Sequence, residues 1–278
     1  MPKVQVVKAS TECREQKLIS FLRQKTGLPY SRLMKLIRTG QVRINGKRTF
    51  PFYRLQQDDE IRIPPYSNQP QTKPDFKLNI IYEDEQIIII NKNPGIAVNK
   101  GSHTLFSVMD VVKQQYNNLP YLPTPVHRLD KDTSGLLILA KTFQTLRKLQ
   151  INWSKVEKKY LAVVEGNWPE RKPIILTHYL YKTKNGQIVN DRQKGKKSVC
   201  QVKLLTRSKQ YSLLEISLMT GRTRQIRAQL SLLGYPILGD KKFNPSNQLS
   251  PLHLHAYYLS FWGHIFKNLP PWQVYKLF

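Results

Sequence analysis

The strongest constraint on the fold is a rhythm of short apolar segments that begins near residue 78. Segments 78–82, 86–91, 136–140, 160–165, 199–205 and 211–218 are each about as long as one strand and rich in Ile, Val, Leu and Tyr, residue types that suit a pleated surface. Turn formers such as Asn93-Pro94-Gly95 separate them. Two stretches depart from this rhythm. Phe143, Leu146, Leu149, Trp153 and Val156 recur at helical spacing, and Ile226, Leu230 and Leu233 do so ahead of Gly234. Strands therefore outnumber helices and are mostly joined by short turns. That pattern predicts an α+β chain with a mixed, largely antiparallel sheet flanked by helices and loops. There is no repeat of fixed period, and no Rossmann or P-loop glycine pattern.

Residues 1–63 read as a separate small unit. Leu18, Ile19 and Leu22 share one helical face, and Gly27 follows as a stop. Ser31 is placed to cap a second helix, whose stripe of Leu33, Leu36 and Ile37 ends at Gly40. Arg32, Lys35 and Arg38 recur every third residue on another face of that helix. Val42 and Ile44 then alternate with Arg43 and Asn45, and Asn45-Gly46 marks a tight hairpin turn. A second turn at Gln57-Asp58-Asp59 leads into a strand over 60–63. Residues 64–76 contain Pro64, Pro65, Pro70 and Pro74 among Ser, Asn and Gln, which predicts an extended linker that lets the units move. The second domain is expected over 77–278.

Charge narrows the class of partner. The 278 residues carry 45 Lys+Arg against 18 Asp+Glu, a formal net charge of +27. An excess of this size suits a polyanion, because neutralising phosphates releases counterions and drives association. Nucleic acid is the leading partner, with a generally basic protein that binds RNA only nonspecifically as the plain alternative. The longest apolar runs, Ile87–Ile90 and Leu136–Ala140, fall far short of the roughly 18–20 residues of a membrane span. The first fifteen residues carry Glu12 and Glu15 and lack the apolar core of a secretory signal. A cytoplasmic monomer with no membrane partner is the expectation. Cys13 and Cys200 stand far apart with no CxxC, so neither a disulfide framework nor a cysteine zinc site is supported. His253 and His255 have the spacing of two ligands on one strand, but no third ligand is evident; structural histidines and no metal are expected.

The segment PVHRLDKDTSGLLILAKT, residues 125–142, concentrates the chemistry. A polar cluster precedes an apolar strand, which sets it in a loop at a strand end, where sites on sheet proteins often lie. Asp130 stands among His127, Arg128 and Lys131. Cations around a carboxylate keep it ionised, so that it can act as a nucleophile or base. A turn stapled by surface ion pairs accounts for this segment equally well.

HRLDKDTSGLLILAKT resembles the defining motif of the RluA-type pseudouridine synthases. Four further segments agree with that family in order and spacing: IYEDEQIIIINKNPGIAVNKG at 81–101, KKYLAVVEG at 158–166, LMTGRTRQIRAQLSLLGYPILGD at 218–240 and LHAYYLSF at 254–261. SRLMKLIRTGQVRINGKR followed by LQQDDEIRIP resembles the S4 RNA-binding domain. An S4-like unit joined to such a domain is most similar to the enzymes that modify large-subunit (23S) ribosomal RNA, in particular the RluC-type branch. The resemblance implies a pseudouridine synthase fold with a small N-terminal S4-like (α-L-type) domain. The implied reaction isomerises uridine in RNA, with no cofactor because nothing is oxidised or phosphorylated.

Carried over position by position, the resemblance makes Asp130 the essential aspartate. It would either attack the ribose or remove a sugar proton to give a glycal. Tyr160 matches the tyrosine that stacks on uracil, and a core tyrosine at a strand start is the plain alternative. Arg227 matches the basic partner of the aspartate, with Arg222 and Arg224 as competitors. Arg128 matches the residue that enters the RNA stack when uridine is flipped out. Leu136 and Leu137 belong to a pocket floor or the core. Gly221 would let the backbone turn tightly before a helix. Arg224 departs from the family, where histidine is commoner, and so do Ala228-Gln229. Lys182, Lys184, Arg192, Lys194, Lys196 and Lys197, opposed by Asp191, predict a mobile basic loop or hairpin on the RNA backbone, with a solvated loop as the alternative. Two rival functions stay open on residues alone: a noncatalytic RNA-binding or assembly protein, and an RNA hydrolase using Asp130 with Asp132 or a histidine.

Overall fold

The structure, a computed structural model, describes residues 4–28, 30–66, 76–100, 106–183, 185–244 and 251–272. The proline-rich stretch expected as a linker falls largely on 67–75, outside the described residues, as does Lys184.

Residues 5–63 form β1 (Gln5–Lys8), α1 (Leu18–Thr26), α2 (Tyr30–Arg38), β2 (Arg43–Ile44), β3 (Lys47–Arg48) and β4 (Glu60–Ile63). The strands make a sheet of order β1-β4-β2-β3. Two orphan N–H groups at the start of α1 are taken up by the loop between β3 and β4, Leu18 N donating to Tyr53 O at 2.8 Å and Ile19 N to Pro51 O at 3.0 Å. Gly27 ends α1 in the left-handed region at φ 69°. Helix α2 begins at Tyr30, so Ser31 lies inside it rather than at its cap. Leu33 and Ile37 are buried, while Arg32, Lys35 and Arg38 face solvent. The hairpin turn has φ 49° at Asn45 and 75° at Gly46, the doubly positive pair of a type I′ turn. The Asp59 carboxylate braces it by accepting from Asn45 Nδ2 and from Gln56 N, each at 2.8 Å.

The larger unit contains β5 (Ile80–Glu83), β6 (Ile87–Lys92), α3 (Val108–Gln115), β7 (Thr124–Pro125), β8 (Ser134–Ala140), α4 (Phe143–Ile151), β9 (Glu157–Glu165), β10 (Ile174–Lys182), β11 (Ile188–Asn190), β12 (Lys196–Arg207), β13 (Tyr211–Leu218), α5 (Gln225–Leu232), β14 (Leu254–Phe261) and β15 (His264–Lys267). The sheet runs β11-β10-β12-β13-β9-β14-β8-β6-β5, with β15 on β14 and β7 on β8. It is mixed and mostly antiparallel, as the rhythm of apolar segments predicts. Among the described strands, β8 and β14 alone pair in parallel, through His255 opposite Ser134 and Ala256 opposite Gly135. All seven residues of β8 are buried, so its unbroken apolar run reflects a strand covered on both faces. Strand β13 has the limits expected from sequence; β10 and α3 stand outside the apolar rhythm. The helical pattern from Phe143 to Val156 splits, with α4 ending at Ile151 and a 3-10 turn at Trp153–Lys155.

The two units touch. Tyr121 from the larger unit is 2% exposed and packs into the N-terminal core with Leu18, Leu22 and Phe21. Gln24 Nε2 donates to Thr124 Oγ1 at 2.8 Å, and Gln144 Nε2 to Thr11 O at 2.8 Å. The expected freedom of the units to move therefore meets a packed contact.

Candidate active site

Asp130 lies in the loop entering β8, and Arg227 in the first turn of α5, which follows β13. Their side chains meet, Arg227 Nη1 donating to Asp130 Oδ2 at 3.2 Å. The Arg227 side chain is 7% exposed and that of Asp130 18%, so the pair is only partly screened by water. Asp240 fixes the arginine from behind, accepting from Nε and from Nη2 at 2.7 Å each. Its Oδ1 also accepts from Lys242 N and Phe243 N. Burial works to lower the Arg227 pKa, and the two carboxylates outweigh it, for a net upward shift. The guanidinium thus stays charged with one nitrogen left for Asp130.

Two adjoining cavities of about 120 and 340 Å³ share Arg128, Asp130, Arg224 and Arg227 in their walls. Tyr160, on β9, is 9% exposed and lines the smaller one with Leu254 and Ile226. Burial, and then the Asp130 charge, push its phenol above the usual tyrosine range, so it stays protonated. Arg128 is exposed at the mouth. A carboxylate held by an arginine, with a protonated ring beside it and cations at the entrance, can attack or deprotonate an electron-poor carbon of an anionic substrate.

The loop before α5 is set by hydrogen bonds rather than by a glycine turn. Gln225 Oε1 accepts from Thr220 Oγ1 and Arg222 N, while Gln225 Nε2 donates to Val199 O. Gly221 does not have a positive φ; the left-handed residue is Arg224, at φ 56°. That corrects the role expected of Gly221. Arg222 reaches Lys197 O through Nε at 3.3 Å and does not pair with Asp130. Arg224 lines both cavities without bonding to the aspartate.

Leu136 and Leu137 are core residues and line neither cavity. His127 turns away from the cleft. Its Nε2 accepts from Ile138 N at 3.2 Å, its ring stacks on Trp153 at 4.6 Å, and burial, aided by Lys158, lowers its pKa to about 3. His255 bonds Ser134 Oγ and Asn268 O, and His253 lies beside Pro251 O; no metal cluster is found among the described residues. Lys194, Lys196 and Lys197 are exposed around the β11–β12 turn, where Asp191 Oδ1 accepts from Gln193 N and Lys194 N. Arg32, Lys35 and Arg38 sit on the separate N-terminal unit.

Sequence reasoning missed two residues. Asp240 carried only the weak signal of an acid after Gly239. Lys92 ends the apolar β6, is 2% exposed, and donates to Asn93 O and Ile96 O at 2.9 Å and to Lys131 O at 3.0 Å. It ties the loop carrying Asp130 to the neighbouring turn. Burial lowers its pKa to about 7 against the pull of Asp132 and Asp130.

This combination is that of a carboxylate site with cations at its entrance, and comparison with known proteins makes the class specific. The sequence model of the RNA pseudouridylate synthase family matches residues 86–232. Ribosomal large subunit pseudouridine synthase C of Buchnera aphidicola subsp. Baizongia pistaciae is 39% identical over 82% of this chain and 77% of its own. The Escherichia coli protein of the same name is 34% identical over 94% and 89%. The solved structure of human RNA pseudouridylate synthase domain containing 4 superposes with a TM-score of 0.60 at 25% identity, covering 72% of this chain and 91% of that one. The chain belongs to the RNA pseudouridine synthase family.

Proposed function

We propose that this chain isomerises uridines of large-subunit (23S) ribosomal RNA to pseudouridine, with Asp130 as the essential group. The observation that carries the proposal is the 3.2 Å ion pair between the buried Arg227 and the partly buried Asp130 in the cleft. The reaction breaks the bond from ribose C1′ to N1 of uracil and forms one from C1′ to C5, with loss of the C5 proton. Asp130 serves it by attacking C1′ or by taking the sugar proton that leads to a glycal. Arg227 aims the carboxylate through its hydrogen bond, Tyr160 stacks on the base, and Arg128 fills the gap left in the RNA when the uridine swings out, offsetting a few kcal/mol of unstacking. Atoms and electrons balance without a cofactor.

The N-terminal unit acts as an S4-like RNA-binding module through Arg32, Lys35 and Arg38, and Arg222, Arg224, Lys194, Lys196 and Lys197 hold the backbone nearer the cleft. The protein works as a cytoplasmic monomer on this reading. Tritium release from large-subunit transcripts carrying uridine labelled at C5 tests it. Wild type is expected to release label and Asp130→Asn to release none. Equal release by the two proteins would remove Asp130 from the mechanism, and no release by wild type would remove the ribosomal substrate.

A further inference from the structure

Where the N-terminal unit meets the larger one lies a cavity of about 480 Å³, separate from the cleft. Phe21, Gln24 and Lys25 of α1 form one wall; Lys113, Tyr116 and Leu122 belong to the other. The lysines are the informative residues. Lys113 is half-buried and Lys25 is exposed at the rim, and neither makes a hydrogen bond or ion pair with any described residue. Desolvation lowers the Lys113 pKa, and Arg23 and Lys100 lower it further. The nearest opposing charge, Asp110, already accepts from Ser107 N and Oγ. A half-buried ammonium beside an aromatic and aliphatic wall, with a second one at the rim, suits an anion that also has an apolar face.

Helix α3 connects the cavity to the cleft. Helix α3 starts on the cleft wall, with Val108 N donating to Ala97 O and Met109 N to Val98 O, and Ala97 and Val98 line the space beside Asp130. Eight residues later, about 12 Å along its axis, the same helix ends at the junction cavity. Lys100 follows the cleft residue Asn99 and belongs to the cations that act on Lys113.

We propose that this cavity takes an unpaired nucleotide of the substrate RNA that flanks the modified uridine, with its phosphate between Lys25 and Lys113 and its base against Phe21, Tyr116 and Leu122. The inference rests on the RNA substrate proposed above and adds a second site to it. Both the apolar wall and the cations are then used, as in sequence-tolerant binding of single strands.

The test measures binding rather than turnover, so its outcome is independent of tritium release. Full-length Asp130→Asn protein is titrated against two fluorescent large-subunit rRNA stem-loops, one with an unpaired flank and one trimmed. Adding Lys25→Gln and Lys113→Gln is expected to weaken the flanked RNA about tenfold and to flatten its log–log salt dependence by roughly 0.7, one single-strand phosphate. The trimmed RNA should bind as before. Lys113→Arg should restore the flanked RNA, which separates charge from folding. Equal losses on both RNAs, or no loss on either, would overturn the proposal. So would competition by uridine monophosphate that is lysine-dependent but leaves flanked RNA bound, since it would assign the cavity to a free nucleotide.

Discussion

Asp240 grips Arg227 through both carboxylate oxygens at 2.7 Å, and its own side chain has no exposure to solvent. The arginine that meets Asp130 is thereby aimed by a residue that touches neither cavity. Asp240→Asn keeps the volume but removes the charge and one acceptor. It is expected to lower kcat for tritium release at least tenfold with little change in KM. Asp240→Ala should also lower the melting temperature, since removing one partner of a buried pair costs about 3–5 kcal/mol. Full kcat in Asp240→Asn would show that Arg227 orients itself.

Among the described residues, Lys92 alone donates to three carbonyls on two loops. Lys92→Met fills the space with an apolar chain and leaves those carbonyls unpaired, at about 1–3 kcal/mol for each one that water cannot reach. We expect lower denaturant stability and a fall in kcat, because Lys131 O lies one residue beyond Asp130. Wild-type stability in chemical denaturation would mean the carbonyls find water.

Gly135 has φ 111°, and a Cβ there would lie 2.2 Å from Ala256 O and 2.6 Å from Ala256 N. These are backbone atoms of β14 and cannot move independently. Gly135→Ala should destabilise by more than about 4 kcal/mol, the range of severe backbone clashes, and yield little soluble protein. A soluble variant with a wild-type melting curve would contradict the β8–β14 pairing.

Burial lowers the His255 pKa to about 4, against about 6.5 in an unfolded chain. Between these values the unfolded state binds a proton that the folded state refuses. Stability from this group is complete above about pH 6.5 and falls as the pH drops toward 4, by at most about 1.4 kcal/mol per unit. His127, lowered to about 3, acts in the same direction. Urea unfolding at pH 7 and pH 5 should show the loss, and His255→Gln should flatten it. An unchanged slope in that variant would place the proton uptake elsewhere.

Much of this was legible in the chain because local pattern and tertiary role coincide. The all-apolar run 136–140 is the most buried strand, and the motif around Asp130 does lie at its entrance. The pairing of Asp130 with Arg227, ninety-seven residues apart, came from resemblance, since no local rule links a loop to a distant helix. The short helix Val108–Gln115 escaped because eight residues give too few apolar repeats. His127 looked like part of the site because it adjoins Arg128 in sequence, but the bend into β8 sends its ring to Trp153. The left-handed turn fell at Arg224 rather than Gly221 because the Gln225 side chain, not the glycine, organises that loop.

The parallel pairing of β8 with β14 spans two residues and joins two otherwise antiparallel half-sheets. Asp130 hangs from one half, and Arg227 and Asp240 from the other. The ion pair therefore works as a vernier across a seam: any slip or tilt of one half against the other appears directly as a change in the Asp130–Arg227 distance. The tightness of the fold at two glycine- and alanine-sized positions therefore sets how far Asp130 and Arg227 can part.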